Sequence, residues 1–77
     1  MNLSSSAYCF EALRDLRFHL ATEKNVPSFV IFSDKSLHDM CHIMPRNRSD
    51  FLLVNGVGES KCENYSDDFL KIIAEHS

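Results

Sequence analysis

The chain has 77 residues, 44% of them apolar and 25% charged, with two Gly, two Pro and a formal net charge of -3. That is one domain at most, with ordinary apolar content and too little Gly and Pro for a disordered or collagen-like chain. Chains near this size bury only about 60% of their unfolded surface, which excludes a large enclosed active site, and the acidity argues against a strong general nucleic-acid binder.

Met1 to Ser6 lack the charged start and apolar stretch of a signal peptide. They read as a flexible lead-in, or the edge of a fragment, before a helical domain over residues 7–77. Phe10, Leu13, Leu16 and Leu20 then recur at helical spacing, predicting an amphipathic helix from about Ala7 to Lys24. One of Ser4 to Ser6 is expected to cap it. Pro27 breaks this helix, because it has no amide hydrogen and restricts Val26 to extended geometry. Ser28 to Phe32 has strand propensity but no partner strand, so a compact, mostly buried apolar loop or 3₁₀ turn is expected.

Ser33 and Asp34 have the chemistry of a helix start. Leu37, Met40, Cys41 and Met44 form its apolar stripe, and Pro45 ends it. Asn47 caps a short third helix with Phe51, Leu52 and Val54 inward. Asn55-Gly56-Val57-Gly58 is a tight turn. A fourth short helix, about Glu59 to Tyr65, offers Cys62 and Tyr65 to the core. Ser66-Asp67-Asp68 then caps a last helix carrying Phe69, Leu70, Ile72 and Ile73. The sum is an all-α bundle of five helices with short connections.

Cys9, Cys41 and Cys62 are an odd set, unlike the dense even sets of secreted scaffolds, and suit a reducing cytoplasm. No apolar run approaches the ~20 residues of a membrane-spanning helix. Gly56-Val57-Gly58 can expose amides at a helix start, with Lys61 in the first turn, as in hairpins that hold a nucleic-acid backbone. Taken alone, the glycines more often serve only a sharp turn. His38 and His42 share a helix face, but no further ligands accompany them, so solvent-facing histidines are expected and no metal site. No catalytic signature joins the cysteines, histidines and acids, and no GxxxxGK[ST] loop occurs. The loop pattern leaves Phe29 two placements: packed inside, or exposed and able to stack on a base. Arg14, Arg17, Lys24 and Lys35 can form a small positive patch around it, with Glu11, Asp15 and Glu23 interleaved.

Four landmarks now stand in order: Phe10 to Arg17, Asn25 to Asp34, Leu37 to Pro45, and Leu52 to Lys61. This order closely resembles the HRDC ("helicase and RNase D C-terminal") domain over about Tyr8 to Ala74, most nearly the version in bacterial RecQ helicases. The resemblance implies a compact five-helix bundle with a helix-hairpin-helix-like Gly-Val-Gly turn, at the end of a RecQ-type ATP-dependent 3′-to-5′ DNA helicase acting in repair and recombination. Such a domain has no ATPase of its own and no cofactor; ATP and Mg belong to the parent chain. It binds single-stranded or structured DNA, or docks on protein, including the helicase core of its own chain. The implied setting is a monomer in the bacterial cytoplasm, associated with the nucleoid. Carried over, the DNA surface is Arg14, Arg17, Lys24, Phe29 and Lys35, with Gly56, Gly58 and Lys61 matching the hairpin. Glu11 and Asp15 stand where basic members carry lysine, so weak DNA binding is expected. A protein-docking module and the RNA-positioning domain of an RNase D-like exonuclease are the rivals.

Overall fold

A computed structural model describes residues 5–77. Five helices follow one another: α1 (Ser5–Lys24), α2 (Ser28–Ile31), α3 (Asp34–Ile43), α4 (Arg48–Phe51) and α5 (Glu59–Glu75). No strand occurs among the described residues. α1 is the organising element and packs against α2, α3 and α5, while α4 packs on α5. It already includes Ser5 and Ser6, so the helix begins inside the segment expected as a lead-in. The expected serine cap lies outside the described residues and side chains.

α1 ends in a cap that its sequence dictates. Asn25 adopts the left-handed conformation at φ 58°. Its amide donates to Thr22 O at 3.1 Å, and that of Val26 donates to Ala21 O at 3.0 Å. This pair of bonds is the Schellman arrangement, which occupies the orphan carbonyls of the last turn. Pro27, at φ -63° and ψ 151°, then turns the chain into α2.

The expected loop after Pro27 is a single helical turn. It is half-buried: Ile31 and Phe32 are inside, while Phe29 and Val30 are outside. The turn closes with the Val30 amide donating to Pro27 O and the Phe32 amide to Ser28 O, two amides that an open apolar loop would leave unpaired. Ser33 caps α3, its hydroxyl accepting from the Ser36 amide at 3.1 Å. α3 stops where Met44 turns left-handed ahead of the buried Pro45. Asn47 caps α4 through a bond from the Asp50 amide at 2.9 Å.

Two expectations fail here for physical reasons. Leu52 is exposed, because Phe51 and Val54 take the inward positions of this tight turn. Glu59 to Glu75 is one helix of 17 residues, not two. Cys62, Ser66, Phe69 and Ile73 are its buried residues, a continuous stripe at helical spacing. No Gly or Pro interrupts that stripe. Packing therefore overrides the local capping preference of Ser66-Asp67-Asp68.

Phe32, Phe51 and Phe69 are fully buried and form the heart of the core. Phe32 meets Phe51, Tyr65 and Phe69 edge to face, with ring centroids 6.0, 5.8 and 5.0 Å apart. This is the geometry that aromatic quadrupoles favour.

Candidate functional site

The exposed face of α2 is the most prominent apolar feature near basic residues. Phe29 is 71% exposed and Val30 is 44% exposed. The two residues that follow them are anchors, so the outward pair stands on a fixed base. Lys24 ends α1 just before this turn, and Lys35 lies in the first turn of α3 just after it. Both are exposed. Lys24 carries its ammonium 5.7 Å from the Tyr65 ring centroid, a cation–π contact that ties it to α5.

Arg17 is placed differently from the expectation. It is 7% exposed and forms no part of the surface patch. Its Nη1 donates to Phe32 O at 3.0 Å and lies 2.8 Å from Oδ1 of Asp34. It therefore joins α1 to the short link between α2 and α3 and serves as a positioning residue. We expect Arg17→Ala to lower stability by about 2–3 kcal/mol, since it strands a buried carbonyl. Asp34→Asn costs under about 1 kcal/mol, because that carboxylate is 72% exposed. Urea unfolding of both variants checks the contrast; equal losses would remove Phe32 O as the reason.

Arg14 is exposed, with its guanidinium carbon 5.9 Å from the Phe10 ring centroid. The Phe10 ring stacks on His38 at 4.2 Å and 8°. The sequence reading did not find this stack, and nothing local in either helix signals it. His38 and His42 are both exposed. Among the described residues, no group of three or more His, Cys, Asp or Glu could hold a metal ion.

The glycine turn is clamped by α3. Ser36 donates from its hydroxyl to Asn55 O at 2.6 Å, and the Asn55 amide donates to Asp39 Oδ2 at 2.7 Å. Gly56 takes φ 84°, and a Cβ there would lie 2.6 Å from Ser36 Oγ. Gly58 precedes α5 and supplies no side-chain cap. Lys61 is half-buried, its ammonium 5.5 Å from the Phe32 ring centroid. Asp39, bonded to the Asn55 amide, and Glu59 in the first turn of α5 add two carboxylates to the residues next to the glycine turn. Lys24 and Lys35 thus stand on the helix ends that flank α2, which carries the exposed Phe29. The geometry directs Arg17 and Lys61 toward the interior and gives Gly56 a structural task.

No described helix is long and apolar enough to cross a membrane. The family model for the HRDC domain matches residues 6–73. The chain is 36% identical over 67 residues to the ATP-dependent DNA helicase RecQ of Pasteurella multocida, covering 87% of this chain and 11% of that protein. It is 41% identical over 68 residues to the RecQ of Bacillus subtilis, covering 88% of this chain and 12% of that one. The chain therefore spans about a tenth of the length of these relatives. Among solved structures, D. radiodurans RecQ HRDC domain 3 superposes with a TM-score of 0.87 at 33% identity, covering 91% of this chain and 92% of that one.

Proposed function

Because the chain belongs to the HRDC domain family, we propose that it serves as an auxiliary domain of a RecQ-type ATP-dependent DNA helicase and makes weak contacts to single-stranded or structured DNA. ATP hydrolysis, with its Mg, resides elsewhere in such a helicase, whose work lies in repair and recombination on the nucleoid. The domain acts as a monomer. The relatives described above are DNA helicases, which favours this reading over an RNA-positioning domain of an RNase D-like exonuclease.

The observation that supports the DNA reading is Phe29. A ring 71% exposed, on a one-turn helix pinned at its base, offers a flat apolar surface on a segment that Lys24 and Lys35 flank in the chain. An unpaired base stacked on it gains about 1–3 kcal/mol. Lys24 and Lys35 supply charge for the adjoining phosphates. With a net charge of -3 on the whole chain, the contact is weak in isolation. Tethering to a helicase core supplies the local concentration that makes a weak contact effective.

An NMR titration with oligo-dT at low salt tests this. Shifts are expected at Lys24, Phe29 and Lys35, and rising salt weakens them. Phe29→Ala lowers affinity about tenfold or more. Silence at these positions at low salt overturns the DNA reading. A second reading, docking on protein, draws on Leu53, which is 70% exposed beside the clamped turn. Shifts there with the helicase core, and none with oligo-dT, would favour it.

A further inference from the structure

We propose that Cys9 and Cys41 form a disulfide site through which hydroperoxides covalently staple α1 to α3. The two helices run antiparallel. Phe10 of α1 stacks on His38 of α3 at 4.2 Å, and Arg17, further along α1, pairs with Asp34, further back along α3. This register sets Cys9, one residue before Phe10, beside Cys41, one turn beyond His38. The two thiols interact across that interface. Cys9 is fully buried, while Cys41 is only partly so. The third cysteine is engaged elsewhere, with Cys62 Sγ lying 3.8 Å from Arg48 O.

The division of exposure assigns the chemistry. Peroxide reaches Cys41. Its thiolate attacks one peroxide oxygen, the O–O bond breaks, and Cys41 becomes a sulfenic acid as water leaves. The Cys9 sulfur then attacks the Cys41 sulfur, the S–S bond forms, and the hydroxyl departs as a second water with the Cys9 proton. Two thiols are oxidised by two electrons and one hydrogen peroxide is reduced to two waters. Burial raises both thiols, and with Cys9 beside it Cys41 is pushed up to about 12. Thiolate is therefore scarce at neutral pH and grows as pH rises, so the reaction is slow at pH 7 and faster under alkaline conditions.

The bond closes the chain from Cys9 to Cys41 into a loop that contains all of α2. Such a cross-link restricts the unfolded chain, and melting rises by about 10 °C. It also fixes the two helices that flank the Phe29 face.

The test exposes the purified chain to hydrogen peroxide at about pH 7 and about pH 9. Expected are an intact mass lower by two hydrogens, a mapped Cys9–Cys41 peptide link, and a raised melting temperature that dithiothreitol reverses. The link forms faster at the higher pH. It persists in Cys62→Ser and is absent in Cys41→Ser. Oxygen additions at Cys41 without a link, a Cys41–Cys41 dimer, or a linked protein that melts no higher would overturn the proposal. The unsubstituted chain decides these outcomes, so they do not depend on any variant folding.

Discussion

Phe32→Ala lowers the folding free energy by about 3–5 kcal/mol, the usual cost of removing a buried ring. The ring is fully buried and meets three other aromatic rings edge to face. Its loss opens a cavity between α2 and α5 and removes the surface over which Lys61 lies. Domains carry roughly 0.05–0.15 kcal/mol of stability per residue, so this one change consumes much of the margin of a 77-residue chain. Urea unfolding followed by circular dichroism measures it. Phe32→Leu keeps most of the volume and costs less than half as much. If alanine and leucine behave alike, edge-to-face packing and cavity size are not what hold this core. The same experiment bears on the site, because Phe32 is the anchor directly behind Phe29 and Val30. Loss of the anchor should blur the NMR signals of α2 before the rest of the domain melts.

Gly56→Ala is expected to cost about 2–3 kcal/mol, while Gly58→Ala stays within about 0.5 kcal/mol of the parent. The two glycines are two residues apart and look equivalent in the sequence. At Gly56, φ is 84° and a new Cβ would lie 2.6 Å from Ser36 Oγ. That hydroxyl cannot swing aside freely, since it is bonded to Asn55 O at 2.6 Å and lies 3.1 Å from Ser33 Oγ. Alanine thus adds backbone strain and threatens a partly buried hydrogen bond together. At Gly58, φ is -97° and a Cβ meets nothing within 4 Å. Thermal melts of both variants check the asymmetry. A large loss at Gly58 would mean that the turn has a constraint beyond φ and steric space.

Much of the fold was legible because it rests on repeated local signals. Ser33 and Asn47 cap the helices that their positions predict, and Pro27 and Pro45 mark real boundaries. The all-α class follows from such signals, whereas the count of five agrees only because α2 stands where a loop or 3₁₀ turn was expected and Glu59–Glu75 is one helix where two were. The distribution of those helices does not follow from them. Ser66-Asp67-Asp68 has the composition of a helix start, yet Cys62, Ser66, Phe69 and Ile73 complete one buried stripe, and burial of the longer stripe wins. Phe29 could not be placed from sequence, because a single turn of helix has no periodicity to read. Arg17 could have been. It sits four residues from both Leu13 and Ala21, two buried positions of α1, and the spacing marks it as inward-facing. Its charge suggested a surface role, but the carbonyl of Phe32 and the carboxylate of Asp34 make an inward arginine affordable. The contacts between α3 and the glycine turn join residues sixteen and nineteen positions apart, beyond any local pattern.

The four consecutive residues Phe29, Val30, Ile31 and Phe32 divide cleanly into an outward pair and an inward pair. One consequence is modularity. The outward pair can be exchanged with little disturbance of the interior, whereas the inward pair cannot. On the proposed DNA reading, recognition and architecture are thus written on adjacent residues yet vary independently, like a changeable tip on a permanent handle. A scaffold of this kind can acquire new ligand preferences in single steps without first being rebuilt.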